Sequence, residues 1–277
     1  MIALARDGMN GLRLVLAGLA AVIVGLLVWR GGGERQPGPM ASLSVLAPGA
    51  TSLPAGDAAR PAIERTLAQA TEYAAVIDRM QQSFPADYER LLIEFADRAR
   101  QDGRIESADY YLSEMTRGLR QRRGILAARS SPTALAHIFD MQAQMLGALS
   151  QANPKLCVDF LYGNVSPGFY DFAGKHRALV ASMALAAVDA VTDGRQQKID
   201  RRAPTTADFD LLESELTRRG LSRTEIDALL DGRTPEQAVP DARMCQAGRL
   251  YIEALQTLPD ESRSRIQALA VELMARS

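Results

Sequence analysis

Side chains suited to polar chemistry gather around one turn-rich stretch, Asn153 to Phe172, where Asp159, Tyr162, Asn164, Tyr170 and Asp171 lead on to His176. Carboxylates, phenols, an amide and an imidazole can together bind a polar ligand. Gly163-Asn164 and Ser166-Pro167-Gly168 place these groups on a loop, where binding residues often sit. No nucleophile motif surrounds His176, so it does not define a triad. His137, Met141 and Met145 recur every four residues and share one side of a helix. That spacing could present soft ligands to copper, but with no further His or Cys nearby a core stripe is the plainer account. No residue is therefore assigned to catalysis, to a cofactor or to a metal. Cys157 and Cys245 are the only cysteines and both sit among apolar neighbours. In an oxidising compartment they form a disulfide if the fold brings their Cα atoms to about 4.4–6.8 Å; otherwise they are two buried thiols.

Three short segments look like pieces of known proteins. Glu106-Ser107 resembles the Glu-Ser pair of lytic transglycosylases, which use a single catalytic glutamate. The glycine- and methionine-containing motif of those enzymes is absent downstream, where Tyr110-Tyr111-Leu112-Ser113-Glu114 continues a helix, so Glu106 is read as a capping or surface residue. Gly103 to Tyr111 looks like the second helix of a tetratricopeptide unit, with Ala96 and Ala108 at small-residue positions. It covers one hairpin and does not recur at a period of about 34 residues. Phe209 to Leu230 has the outline of a helix-turn-helix. Its second helix, Thr224 to Asp231, is acidic where a recognition helix needs donors to phosphate, which argues against a nucleic-acid partner.

Charge is nearly balanced, at −1 overall. Arg117, Arg120, Arg122, Arg123 and Arg129 form a basic cluster that could meet lipid head groups or phosphate. A solvated helix face with favourable charge near its C-terminus explains the cluster equally simply.

Leu14 to Trp29 carries no ionisable side chain and lies between Arg13 and Arg30. It reads as a single membrane segment. As a helix it spans about 24 Å, short of the roughly 30 Å hydrocarbon layer. The flanking arginines must snorkel or Leu12 must enter, so residues 12–30 meet the membrane. Trp29 and Arg30 stand where a signal peptidase needs small neutral residues, which favours an uncleaved signal-anchor. Arg6 and Arg13 favour a cytoplasmic N-terminus. The expected organisation is a signal-anchor over 1–30, a flexible Gly/Pro linker over 31–57 and a soluble helical domain over 58–277. The chain is placed in the inner (cytoplasmic) membrane with that domain periplasmic or otherwise extracytoplasmic.

Helical periodicity runs through the last region, so the fold class is all-α, built from antiparallel helix hairpins. Pro85 starts and Gly103 ends one helix with Tyr88, Leu91, Leu92, Phe95 and Ala99 on one face. Ile105 to about Arg129 forms the second arm of that hairpin. Ser131-Pro132 opens a helix running to Asn153-Pro154. Phe172 to Thr192, rich in alanine, is the candidate central helix. Ser222-Arg223-Thr224-Glu225 has capping-box spacing and opens a helix stopped near Gly232. Two more helices span about Pro235 to Leu258 and Pro259 to the end.

These features fit a non-enzymatic interaction or scaffold domain facing the cell envelope, with a protein partner and no cofactor. The alternative is an envelope enzyme or small-ligand binder with its site near the 153–176 loop. A reporter fused after Ser277 is expected to be active outside the cytoplasm, and the chain to stay with membranes through a high-salt wash. Reporter activity in the cytoplasm would reverse the orientation.

Overall fold

The computed structural model describes residues 51–52, 58–164, 166–230 and 238–276. The expected membrane segment and most of the expected linker lie outside the described residues. Among the described residues no helix is long and apolar enough to cross a membrane.

Twelve helices make up almost all of the described chain: α1 (Ala59–Gln69), α2 (Ala74–Ser83), α3 (Pro85–Asp102), α4 (Ala108–Arg123), α5 (Pro132–Ala152), α6 (Pro154–Leu161), α7 (Pro167–Lys175), α8 (Arg177–Gln197), α9 (Thr206–Arg218), α10 (Arg223–Leu230), α11 (Asp241–Thr257) and α12 (Asp260–Arg276). Two 3-10 segments, Thr71–Tyr73 and Gly124–Arg129, complete the helical part. One pair of two-residue strands, β1 (Thr51–Ser52) and β2 (Arg104–Ile105), runs antiparallel. The end of the expected linker is thus paired with the folded part at Thr51–Ser52.

Local chemistry sets most of the boundaries. Pro85 occupies the first turn of α3, and Gly103 ends it in the left-handed region at φ 67°. Ser107 and Ser131 accept from the backbone N–H groups of Tyr110 and Ala134, capping α4 and α5. Asn153 ends α5 and caps α6 by accepting from Lys155 N–H. At α10, Ser222 Oγ accepts from Glu225 N–H while Glu225 accepts from Ser222 N–H at 2.7 Å, the reciprocal capping box.

Several boundaries differ from the sequence expectations. The helix expected from Ile105 begins at Ala108, because Ile105 is paired with Thr51 and Ser107 serves as the cap. Its last residues tighten into the Gly124–Arg129 3-10 segment. Much of the 153–172 break is helical, as α6 and α7. The helix expected over 172–192 is interrupted at His176, whose backbone leaves the helical region and whose ring stacks on Phe172 at 4.3 Å. The helix expected from about Pro235, which lies outside the described residues, is α11 and begins at Asp241.

Helices α3 and α4 run antiparallel, since Asp87 meets Arg123, Leu91 lies over Gly118 and Arg98 reaches Tyr110. Helix α8 lies at the centre, packed on α2, α4, α5, α7 and the 124–129 segment. Its contact with that segment is so close that a Cβ on Gly194 would sit 1.8 Å from the Leu126 carbonyl oxygen. Only glycine fits there. On the other side of the segment, a Cβ on Gly124 would lie 2.8 Å from Ala275 Cβ of α12.

Four buried carboxylates, Asp87, Asp109, Asp208 and Glu225, each sit in the first turn of a helix. A negative charge there is favoured by the helix dipole and unpaired N–H groups. Each also receives an arginine from another element. Arg123 donates to Asp87 at 2.9 Å, Arg177 donates twice to Asp109 at 2.9 and 3.0 Å, and Arg265 donates twice to Asp208 at 3.0 and 2.6 Å. Arg243 grips Glu225 through Nε and Nη2.

Cys157 of α6 and Cys245 of α11 are disulfide-bonded with a Cα separation of 5.6 Å. The bond joins the two helices where Leu161 packs against Gly248. The loop it closes has a sequence separation of 88. In the chain-entropy model, closing a loop of that size is worth about 4 to 5 kcal/mol.

Two stability tests follow from these contacts. The Arg265 guanidinium holds the Asp208 carboxyl well below its usual range. Glu225 is also lowered, the bonds from Arg243 and Ser222 outweighing the upward push of burial. A carboxylate depressed on folding stabilises fully above its unfolded pKa and loses that contribution as pH falls through the folded value. The melting temperature should therefore hold from about pH 7 to about pH 5 and drop below about pH 4. Asp208→Asn should cost about 2 to 3 kcal/mol at neutral pH and flatten the acid slope; an unchanged slope would remove this pair from the acid response. Reduction of the disulfide, or Cys157→Ser with Cys245→Ser, should lower stability by a few kcal/mol at most about 5. Thiol labelling of both cysteines in unreduced protein taken from the envelope would contradict the bond.

Candidate functional site

A partly enclosed cavity of about 240 Å³ lies where α4, α5, α6, α8, α11 and α12 converge. On α8, Val180, Met183, Ala184 and Ala187 line it, the two alanines leaving room against larger residues on the facing helices. Phe139, Met145 and Leu146 come from α5, Phe160 and Leu161 from α6, Phe169 from α7, and Tyr251 and Ile252 from α11. Exposed Asn164 lines it too, so the cavity reaches the surface beside the 163–164 turn. The disulfide joins two of its walls, α6 and α11.

Polar groups enter mainly from α4. Ser113, Thr116, Arg117 and Arg120 follow helical spacing and all line the cavity, as does Glu114. Glu114 and Arg117 are paired with each other through Nε at 3.1 Å and through Nη2, and Arg98 Nη1 lies 3.8 Å from Glu114. Thr116 donates back to the Leu112 carbonyl. Gln142 donates to Met274 Sδ at 3.4 Å. Burial alone pushes the Tyr251 phenol well above its usual range, so it remains a neutral wall residue.

Arg120 differs from its neighbours. Its Nε is buried without a hydrogen-bond partner, and its guanidinium has no ion pair among the described residues. Burial first, and repulsion from Arg117 second, lower its pKa below the ordinary arginine value. A guanidinium nevertheless stays charged. The result is a partly buried positive charge, its Nε withdrawn from water, in the wall of a largely apolar cavity.

The polar residues singled out from the sequence scatter around this cavity. Asp159 pairs with Lys155 at 3.1 Å, one helical turn away. Tyr162 is half-buried, which raises its phenol. Tyr170 lies against Tyr110 with the rings tilted by 60°, and burial pushes its phenol up to about 12. Asp171 and His176 are exposed. Asn164 alone of the six lines the cavity. His137 is exposed whereas Met141 and Met145 are buried, so the three do not converge. Among the described residues no three His, Cys, Asp or Glu gather to hold a metal.

Glu106 is buried rather than on the surface, with Arg104 Nε 2.7 Å from its carboxylate. Of the basic cluster, Arg122 pairs with Glu94 and Arg123 with Asp87, leaving Arg120 as the one that faces the cavity without a carboxylate. The signal for it was present as the polar stripe 113, 116, 117 and 120 along α4. What the stripe faces depends on α8, far along the chain.

Comparison with known proteins finds no matching family model, no matching curated protein and no matching solved structure.

Proposed function

We propose that this chain is a membrane-tethered, non-enzymatic ligand-binding protein of the cell envelope. The observation that carries the proposal is the apolar cavity between α4, α5, α6, α8, α11 and α12. A cavity of about 240 Å³ lies just below the usual range of small-ligand pockets. That suits a small molecule or the tail of a larger one. Binding is favoured over catalysis because Glu114, the carboxylate in the wall, is already engaged by Arg117. The Leu14–Trp29 segment supplies the tether, and the Cys157–Cys245 bond fits an oxidising compartment. A protein-docking scaffold has less support, since the large exposed apolar side chains Ile93, Ile125 and Leu211 stand on separate elements.

The test uses a neutral photoprobe, a diazirine-bearing octanol, irradiated with the full chain in membrane vesicles. Adducts are expected on peptides carrying Phe139 to Leu146, Phe160 to Asn164 and Met183 to Ala187. Ala187→Phe should fill the cavity and lower that labelling by about tenfold, the equivalent of roughly 1.4 kcal/mol. Adducts confined to residues 12–30, or unchanged by Ala187→Phe, would show that the probe meets only the bilayer.

A further inference from the structure

The cavity wall is not uniformly apolar, and its one uncompensated feature is a charge. Arg117, Arg122 and Arg123, close by on α4, are each taken by a carboxylate. Arg120 is not, although its Nε is fully withdrawn from solvent. A buried polar group is ordinarily satisfied, and a buried charge is ordinarily paired. Glu114, the carboxylate in the same wall, pairs with Arg117 and Arg98 rather than with Arg120. Arg117 and Glu114 neutralise each other on the same wall, so the net positive charge left is that of Arg120 and the local field favours an anion. Opposite stand Phe139, Met145, Leu146 and Met183, which offer an anion nothing but match an aliphatic chain.

We infer that the cavity holds a single-chain amphiphile, its short aliphatic tail against the apolar walls and its terminal oxyanion on Arg120. This rests on the ligand-binding reading above and specifies its ligand. The guanidinium fork suits either a carboxylate or a phosphate monoester, both of which accept two parallel N–H bonds. The anion supplies the partner that Arg120 lacks and the tail displaces poorly held water from apolar surface. A chain without the head group gains only the second effect.

The experiment competes the neutral photoprobe on the full chain in vesicles with octanoate, octyl phosphate and octanol. The same competition is run on Arg120→Met and Arg120→Lys. Comparing each competitor between wild type and variant cancels its partition into the bilayer. At least one of octanoate and octyl phosphate should lose about tenfold or more in potency in Arg120→Met, whereas octanol should change little. The anion that loses more identifies the head group. Arg120→Lys should keep part of the preference, because it retains the charge and loses the fork. Melting of the ligand-free protein adds a separate readout: Arg120→Met should melt no lower than wild type, since it removes a partly buried charge and an unsatisfied Nε. Equal loss for octanol and both anions, or unchanged potency of both anions in Arg120→Met, would overturn the assignment of Arg120 while leaving the cavity a ligand site. Failure of the photoprobe to label the cavity in wild type would remove the ligand-binding reading itself, and this inference with it.

Discussion

The arrangement turns on the close approach of α8 to the Gly124–Arg129 segment. Gly194 brings the helix to within van der Waals contact of the Leu126 carbonyl, and a methyl group there would overlap that oxygen. Around this contact the segment is held from several sides. Arg201 donates to the carbonyls of Ala128 and Ser130, Ile199 N–H donates to Arg129, and Asp193 accepts from Ser131 N–H at 2.6 Å. Gly124 admits Ala275 of α12 on the opposite face. One short stretch of chain thereby fixes the C-terminal end of α4, the start of α5, and the positions of α8 and α12. Those helices supply much of the cavity wall, so its shape follows from contacts made outside it.

Arginine has two opposite uses in this framework. At Asp87, Asp109, Asp208 and Glu225 it ties a helix N-terminus to a distant element, and both charges are satisfied. Such pairs add little net stability over apolar packing, but losing one partner strands the other. They therefore act as locks on register and orientation more than as sources of free energy. Arg120 has the opposite arrangement: its partial desolvation is not offset by an ion pair among the described residues. A ligand-binding site can tolerate such a cost when binding removes it.

Features written in adjacent residues were legible from the sequence. Pro85 with Gly103, Ser131 with Pro132, Asn153 with Pro154, and Ser222 with Glu225 each set a boundary within a turn of the chain. The disulfide was legible because only two cysteines exist. Helix α8 was legible as central from its alanines. By contrast, the carboxylate partners lie 36, 68, 57 and 18 residues away, and nothing local selects one arginine among many. The break at His176 carries no proline or glycine at that position to announce it. The cavity was illegible for the same reason as the locks: helices from residues 108 to 276 build it, and the loop richest in polar side chains contributes only Asn164 among the six singled out.

The disulfide and the cavity belong to one argument. A cavity forfeits protein–protein dispersion contacts along its walls. The Cys157–Cys245 bond fixes the separation of α6 and α11 at a point where Leu161 already fills the notch at Gly248. At this end α6 and α11 are already in close contact, so the bond does not hold the space open. Further along the same two helices, Phe160 and Tyr251 remain as cavity wall. The covalent link thus restrains the walls at one end, while the small side chains of α8 leave room on the other side.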